Sequence, residues 1–185
     1  TGRDERIDQF ADHRVAVVRV HVVPIPGIVV ASQASNPWVS WDYVSTHIPE
    51  LLAAGRTINM PGVYDALSAR LAAEAGFEVS FISGYSVSAA RLAAPDFGYL
   101  TQTEMAQTAR EVCRVAGGPV IVDADTGYGN ALSAIRTARE FHAAGAAGIF
   151  LEDQEWPKKC GHFEGKRVVP AHEWLAKLRA VRDLA

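Results

Sequence analysis

The stretch VIVDADTGYGN, Val120 to Asn130, ends an apolar run in two carboxylates, Asp123 and Asp125, and then turns on Gly127 and Gly129. Burying acids at the end of a hydrophobic strand is costly unless positive charge meets them. Residues i and i+2 of a strand share a face, so the spacing predicts both carboxylates side by side with Ala124 opposite. Charges that close repel and raise one pKa unless a cation lies between them. A hard divalent ion such as Mg2+, which takes oxygen ligands and keeps several waters, suits that position. Capping of the following helix, or pairing with Arg or Lys, is the alternative. The run GIFLEDQ adds Glu152 and Asp153 at the end of the next strand, so four acids gather at one end and the metal reading gains weight.

Three other segments hold reactive groups. In PKKCGH, Cys160 follows Lys158 and Lys159 and precedes His162 by two residues, a setting that favours thiolate, and Gly161 gives the loop freedom. A free cysteine in a basic surface loop is the bland alternative. In FISGYSVSA, a strand ends in Ser83, Gly84 and Tyr85, where backbone N–H groups can hold a carboxylate or phosphate, or simply make a turn. Asp96, in APDFG, can serve a metal's water shell or cap a turn after Pro95. Cys113 lies mid-helix and reads as core, and Trp38, Trp41 and Tyr43 read as packing or a subunit contact.

These groups need elements to position them. From about Ser45 onward, short β-branched runs alternate with alanine-rich segments of helical period. Strands are predicted at Arg56 to Met60, Phe77 to Ser83, Pro119 to Asp125 and Ala147 to Asp153. The helix Val63 to Gly76 is expected to carry Leu67, Leu71 and Ala75 on one stripe and to stop at Gly76. A second starts with a capping box from Thr101 to Glu104. A third runs from an Asn130 cap to Gly145 with Leu132, Ile135, Ala138 and Phe141 facing inward, and a last one covers Ala171 to Ala185. Such alternation implies right-handed βαβ crossovers and a parallel sheet, either doubly wound or closed as a (β/α)8 barrel, with the site just past the strand ends.

The chain has 185 residues, 49% hydrophobic and 21% charged, enough for one domain with a core. A net charge of -3 offers no footprint for nucleic acid or an anionic membrane, so the expected partner is a small molecule. Two separated cysteines fit a reducing cytoplasm better than a disulfide framework. The run VAVVRVHVVPIPGIVVA is broken by Arg19, His21, Pro24 and Pro26 and reads as neither a membrane span nor a signal peptide.

Together, PGVYDALSARLAAEAGF, SGYSVSA, PDFG, DADTGYGN, EDQ and PKKCGHFEGKRVVP resemble, in order from about Ile48 onward, the isocitrate lyase and phosphoenolpyruvate mutase superfamily. The resemblance implies a (β/α)8 barrel and a Mg2+ enzyme, with Mn2+ possible, acting on small α-keto or α-hydroxy carboxylic acids. It assigns Asp123 and Asp125 to the metal, and Asp96 and Glu152 to the ion's waters. It assigns Ser83, Gly84 and Tyr85 to the substrate carboxylate, and Cys160, Gly161 and His162 to a closing loop. A loop cysteine is typical of the lyases, so the expected reaction is carbon-carbon cleavage of a 2-methylisocitrate, dimethylmalate or oxaloacetate type of acid through an enolate-like intermediate, protonated by Cys160. A phosphonate mutase or hydrolase, or an inactive metal-binding remnant, are the alternatives.

Two departures qualify this. Phe81 stands where lyases of the group often carry a tyrosine, which moves the role of base elsewhere, for example to Tyr85. The chain also ends after four of eight strands, so it reads as a partial barrel over residues 48–185 behind a non-matching extension, residues 1–47. The expectation is a truncated chain holding the metal half of the site, and a homo-oligomer where the full barrel is present.

Overall fold

The computed structural model describes the backbone of residues 21–24, positions 48, 51, 53 and 55, and residues 57–184. The aromatic patch Trp38, Trp41 and Tyr43 and most of the expected extension lie outside the described residues. Five strands form one sheet in the order β1-β5-β4-β3-β2. They are β1 (His21–Pro24), β2 (Gly62–Val63), β3 (Ser80–Ile82), β4 (Val120–Asp123) and β5 (Gly148–Leu151). The strands β2 to β5 run parallel, with Phe81 opposite Ile121 and Asp123 opposite Phe150. Between and after them come α1 (Ala66–Glu74), α2 (Gly84–Leu92), α3 (Gln102–Cys113), α4 (Ala131–Ala143) and α5 (Ala171–Arg182). No helix among the described residues is long and apolar enough to cross a membrane.

The helices cover one face of the sheet and a smaller apolar cluster lies on the other, so its strands read as nearly unbroken apolar runs. Ile82, Val120, Val122, Ile149 and Leu151 face the helices and pack with Ala69, Val112, Ala138 and Phe141. Val79 and Ile121 face the other way, where Phe81 and Phe150 join them. The caps anticipated from sequence form. Glu104 N–H donates to Thr101 Oγ1 at 3.3 Å while Glu104 Oε2 accepts the Thr101 N–H at 2.7 Å. Asn130 Oδ1 accepts the N–H groups of Leu132 and Ser133. Gly76 turns the chain at φ +82°.

Four expectations need correction. The first strand is not at Arg56 to Met60: residues 57–60 form no strand and the ladder begins at Gly62. The following helix starts at Ala66 because Asp65 caps it, its Oδ1 accepting the Ser68 N–H at 2.7 Å. The sheet is not wholly parallel, since the valine-rich run before Pro24 supplies β1 antiparallel to β5, His21 opposite Leu151. Finally, Leu67, Leu71 and Leu132 point outward, at 67%, 56% and 74% exposure, while Ala69, Ala72, Ala134 and Ala138 face in. The helices meet the sheet through small residues that allow close approach, and a stripe assigned by side-chain size puts the wrong face inward.

This orientation predicts that Phe141→Ala costs about 3 to 5 kcal/mol, whereas Leu132→Ala stays within about 0.5 kcal/mol. Urea denaturation of the two variants checks it.

Candidate active site

The acids meet through turns beyond the strands. β4 stops at Asp123, and Asp125 sits in a left-handed turn at φ +48°. Its N–H donates to Asp123 Oδ1 at 3.0 Å, and the Gly127 N–H closes the turn on the Ala124 carbonyl at 2.8 Å. The two carboxylates therefore come together by a turn rather than by the i, i+2 pleat of one strand. From β5, the Glu152 N–H donates to the Asp125 carbonyl at 2.7 Å, tying the neighbouring strand end to the same turn. Asp96 comes from the loop after α2, held where Ser88 Oγ donates to the carbonyls of Ala94 and Pro95 at 3.0 and 3.2 Å.

The start of α2 closes one side. Ser83 is its N-cap, and the Gly84 N–H donates to Asp123 Oδ2 at 3.1 Å. A Cβ at Gly84 would stand 2.9 Å from that oxygen and 3.5 Å from Asp125 Oδ1, so the absence of a side chain there lets the helix end reach the acids.

Lys158 is the residue that sequence reasoning missed. Read from sequence as a basic neighbour of the thiol, it is 2% exposed, and its Nζ lies 2.8 Å from Asp96 Oδ2 and in contact with Asp125 Oδ1. Lys159 turns away to the carbonyls of Glu164 and Gly165. Neither ammonium is aimed at Cys160. The dibasic pair after Pro157 is the only signal in the sequence, and it does not say which lysine goes inside. Gln154 was missed too: its Nε2 donates to Glu152 Oε2 at 2.7 Å and to the Lys159 carbonyl at 3.0 Å, clamping the loop to the acids.

Cys160 is buried, with its N–H on the Asp96 carbonyl at 3.0 Å and its Sγ 3.3 Å from His162 Nδ1. Gly161 and His162 are exposed. Tyr85 is half-exposed, its ring 6.5 Å from that of His162. Phe81 stacks on Phe150 at 4.8 Å and is a packing residue. Asp153, expected beside Glu152, gives its carbonyl to the Val169 N–H and has a buried Oδ1 with no hydrogen-bond partner among the described residues, while Asp96, expected around the ion's waters, is paired with Lys158 in the cluster.

One ammonium thus faces four carboxyl groups, Asp96, Asp123, Asp125 and Glu152. Burial, opposed by Lys158, raises Asp123. Burial and the Asp123 charge lift Asp125 to about 7, and the same two causes lift Glu152 to about 7. Burial works against the charge of Lys158, but Asp125 and Asp123 overcome it and raise its pKa. Burial and the charges of Asp125 and Asp123 also raise the Tyr128 phenol. The cluster therefore keeps protons near neutrality for want of positive charge.

Its donors are all oxygens, which fits a hard divalent cation by chemistry. Among the described residues, however, no three His, Cys, Asp or Glu side chains converge closely enough to hold an ion. Lys158 occupies one side of Asp125, and Asp123 and Glu152 are the cluster acids with no ion pair among the described residues.

Residues 48–185 match the family model for phosphoenolpyruvate phosphomutase. The chain belongs to that family. It is 55% identical over 141 residues to a chloroplastic carboxyvinyl-carboxyphosphonate phosphorylmutase of Arabidopsis thaliana, covering 76% of this chain and 42% of the relative. It is 46% identical over 134 residues to a 2,3-dimethylmalate lyase of Eubacterium barkeri, covering 72% and 46%. Among solved structures it is similar to oxaloacetate acetylhydrolase in complex with 3,3-difluorooxalacetate (TM-score 0.72, 38% identity, 76% of this chain and 48% of the other). It is also similar to phosphonopyruvate hydrolase in complex with oxalate and Mg2+ (TM-score 0.69, 29% identity, 76% and 48%). The fold is thereby of the (β/α)8 barrel type, and the chain spans about half the length of the relatives it matches.

The raised carboxyls predict a pH dependence of stability. Unfolded carboxyls titrate near about 4, whereas Asp125 and Glu152 do so at about 7 in the folded chain. Between those values the native state holds protons that the unfolded chain has shed, so stability falls as pH rises through the window and levels above it. In metal-free buffer the Tm is expected to be higher at about pH 5 than at about pH 7.5, and Glu152→Gln is expected to flatten the slope. An unchanged slope in that variant contradicts the assignment.

Proposed function

We propose that this chain carries the acidic half of the active site of a carbon-carbon lyase acting on small 2-hydroxy or 2-keto carboxylic acids. The observation that carries the reading is the placement of Cys160. Its backbone is fastened to Asp96 of the acidic cluster, and its sulfur lies 3.3 Å from His162 Nδ1 at the exposed end of the same loop. A 2,3-dimethylmalate lyase and an oxaloacetate acetylhydrolase among the similar proteins support it.

In the proposed reaction the substrate hydroxyl, or one hydroxyl of a 2-keto acid hydrated by water, loses its proton and becomes a carbonyl as the adjacent carbon-carbon bond breaks. The electron pair of that bond passes to the carbon beside the second carboxylate, and Cys160 Sγ gives that carbon a proton. His162, in contact through Nδ1, is placed to return a proton to the sulfur. Phe81 cannot take the hydroxyl proton, and Tyr85, at the mouth beside His162, is the proposed base. The N–H groups at the start of α2 and Ser83 are proposed to orient the substrate carboxylate. Mg2+ is the proposed cofactor, and Asp123 and Asp125, with Asp96 and Glu152 through water, would hold it. When bound, it supplies positive charge against the negative charge that develops on substrate oxygens.

The test is 2-keto acid release from 2,3-dimethylmalate and 2-methylisocitrate, and oxalate release from oxaloacetate, by this chain within a complete barrel, with and without Mg2+. Turnover is expected to require Mg2+ and to fall about a hundredfold or more in Cys160→Ser. Absence of turnover with all three acids contradicts the reading. Phosphonate rearrangement or cleavage seen by phosphorus NMR would instead favour the chemistry named for the phosphorylmutase relative.

A further inference from the structure

A cleft of about 620 Å3 opens between residues 98–102, the loop 126–130 and α5, and none of Asp96, Asp123, Asp125, Glu152 or Cys160 lines it. Its floor holds Lys177, 5% exposed, whose Nζ donates to the Thr126 carbonyl at 3.1 Å. Lys177 makes no ion pair among the described residues. Glu173, one turn earlier on α5, is exposed, so its charge is hydrated rather than spent on the lysine. Burial lowers the pKa of Lys177, with Glu173 opposing. A second donor lines the same cleft: Gln102 Nε2 is buried with no hydrogen-bond acceptor among the described residues. Lys177, Gln102 and the Tyr128 hydroxyl, which also has no hydrogen-bond partner among the described residues, therefore share a cavity in which the one hydrogen bond given to these groups is that of Lys177 to Thr126, and buried donors left unmet lose their full hydration.

The walls are of different character. Trp156 lies over Gly98, where a Cβ would meet the indole at 2.5 Å, so the glycine lets the ring settle against the backbone. Leu100 and Val169 continue this apolar side. A ligand that satisfies the cleft presents oxygen acceptors and one negative charge to Lys177 and Gln102, and an apolar body to Trp156. One ammonium in a partly apolar cavity matches a monoanion better than a strongly hydrated dianion.

We propose that this cleft is a second binding site, separate from the acidic cluster, for a small monocarboxylate with an apolar or aromatic body. Lys177 and Gln102 hold the carboxylate and Trp156 covers the body.

The test is calorimetric titration of the full chain in EDTA with benzoate, acetate and inorganic phosphate. Saturable benzoate binding, tighter than acetate and phosphate, is expected. Lys177→Met is expected to weaken it about tenfold or more, and Gln102→Leu about fivefold. Lys177→Arg is expected to retain binding, Trp156→Ala to remove the preference for benzoate over acetate, and Asp123→Asn to leave binding unchanged. If Lys177→Met does not fold, Gln102→Leu and Trp156→Ala decide the matter. No saturable benzoate binding, phosphate binding tighter than benzoate, full binding in folded Lys177→Met, or loss of binding in Asp123→Asn each overturns the proposal.

Discussion

A single buried ammonium organises this end of the molecule. Lys158 reaches Asp96, 62 residues earlier in the chain, and Asp125 in the turn after β4. A buried ion pair is weak evidence for net stability, because desolvation offsets much of the attraction. Its value here is positional. With the lysine inside, the carbonyl of Asp96 meets the N–H of Cys160, and Gln154 clamps the same loop to Glu152. The thiol loop, the acidic turn and the loop after α2 become one unit, although each leaves the sheet at a different strand.

The same arrangement leaves the unit short of positive charge. One lysine against four carboxyl groups gives a cluster that retains protons or takes up a further cation, and burial keeps solvent from screening the imbalance. Asp123 and Glu152 have no ion pair among the described residues: Asp123 accepts two backbone N–H groups and Glu152 the Gln154 amide. Such a deficit is a disadvantage in a purely structural core and an advantage where a divalent ion and an anionic substrate assemble together.

Much of this was legible in the sequence because it depends on local rules. Thr101 and Asn130 cap helices by short-range hydrogen bonds, and the apolar runs ending in Asp123 and Glu152 announce strand ends with acids beyond them. From its own segment Asp96 reads equally as serving a metal's waters or capping a turn, and the family resemblance decided between them, since no periodicity links it to acids 27 and 29 positions away. What stayed hidden depends on tertiary packing. Lys158 and Lys159 are adjacent and chemically alike, and only the fold decides that the first goes inside. The left-handed turn at Asp125 breaks the pleat on which the pairing of the two aspartates was argued. Leu67 and Leu132 look like core residues until the alanine faces of their helices are seen against the sheet. The strand His21–Pro24 was hidden because it completes an edge far away in sequence, against β5.

We propose that the acidic cluster holds protons which a divalent cation displaces. Calorimetric titration of the chain with Mg2+ at about pH 7, in two buffers of different ionisation enthalpy, measures this directly. Binding with net proton release is expected, both lost in Asp123→Asn. Absence of Mg2+ binding, or binding with no proton released, would contradict it.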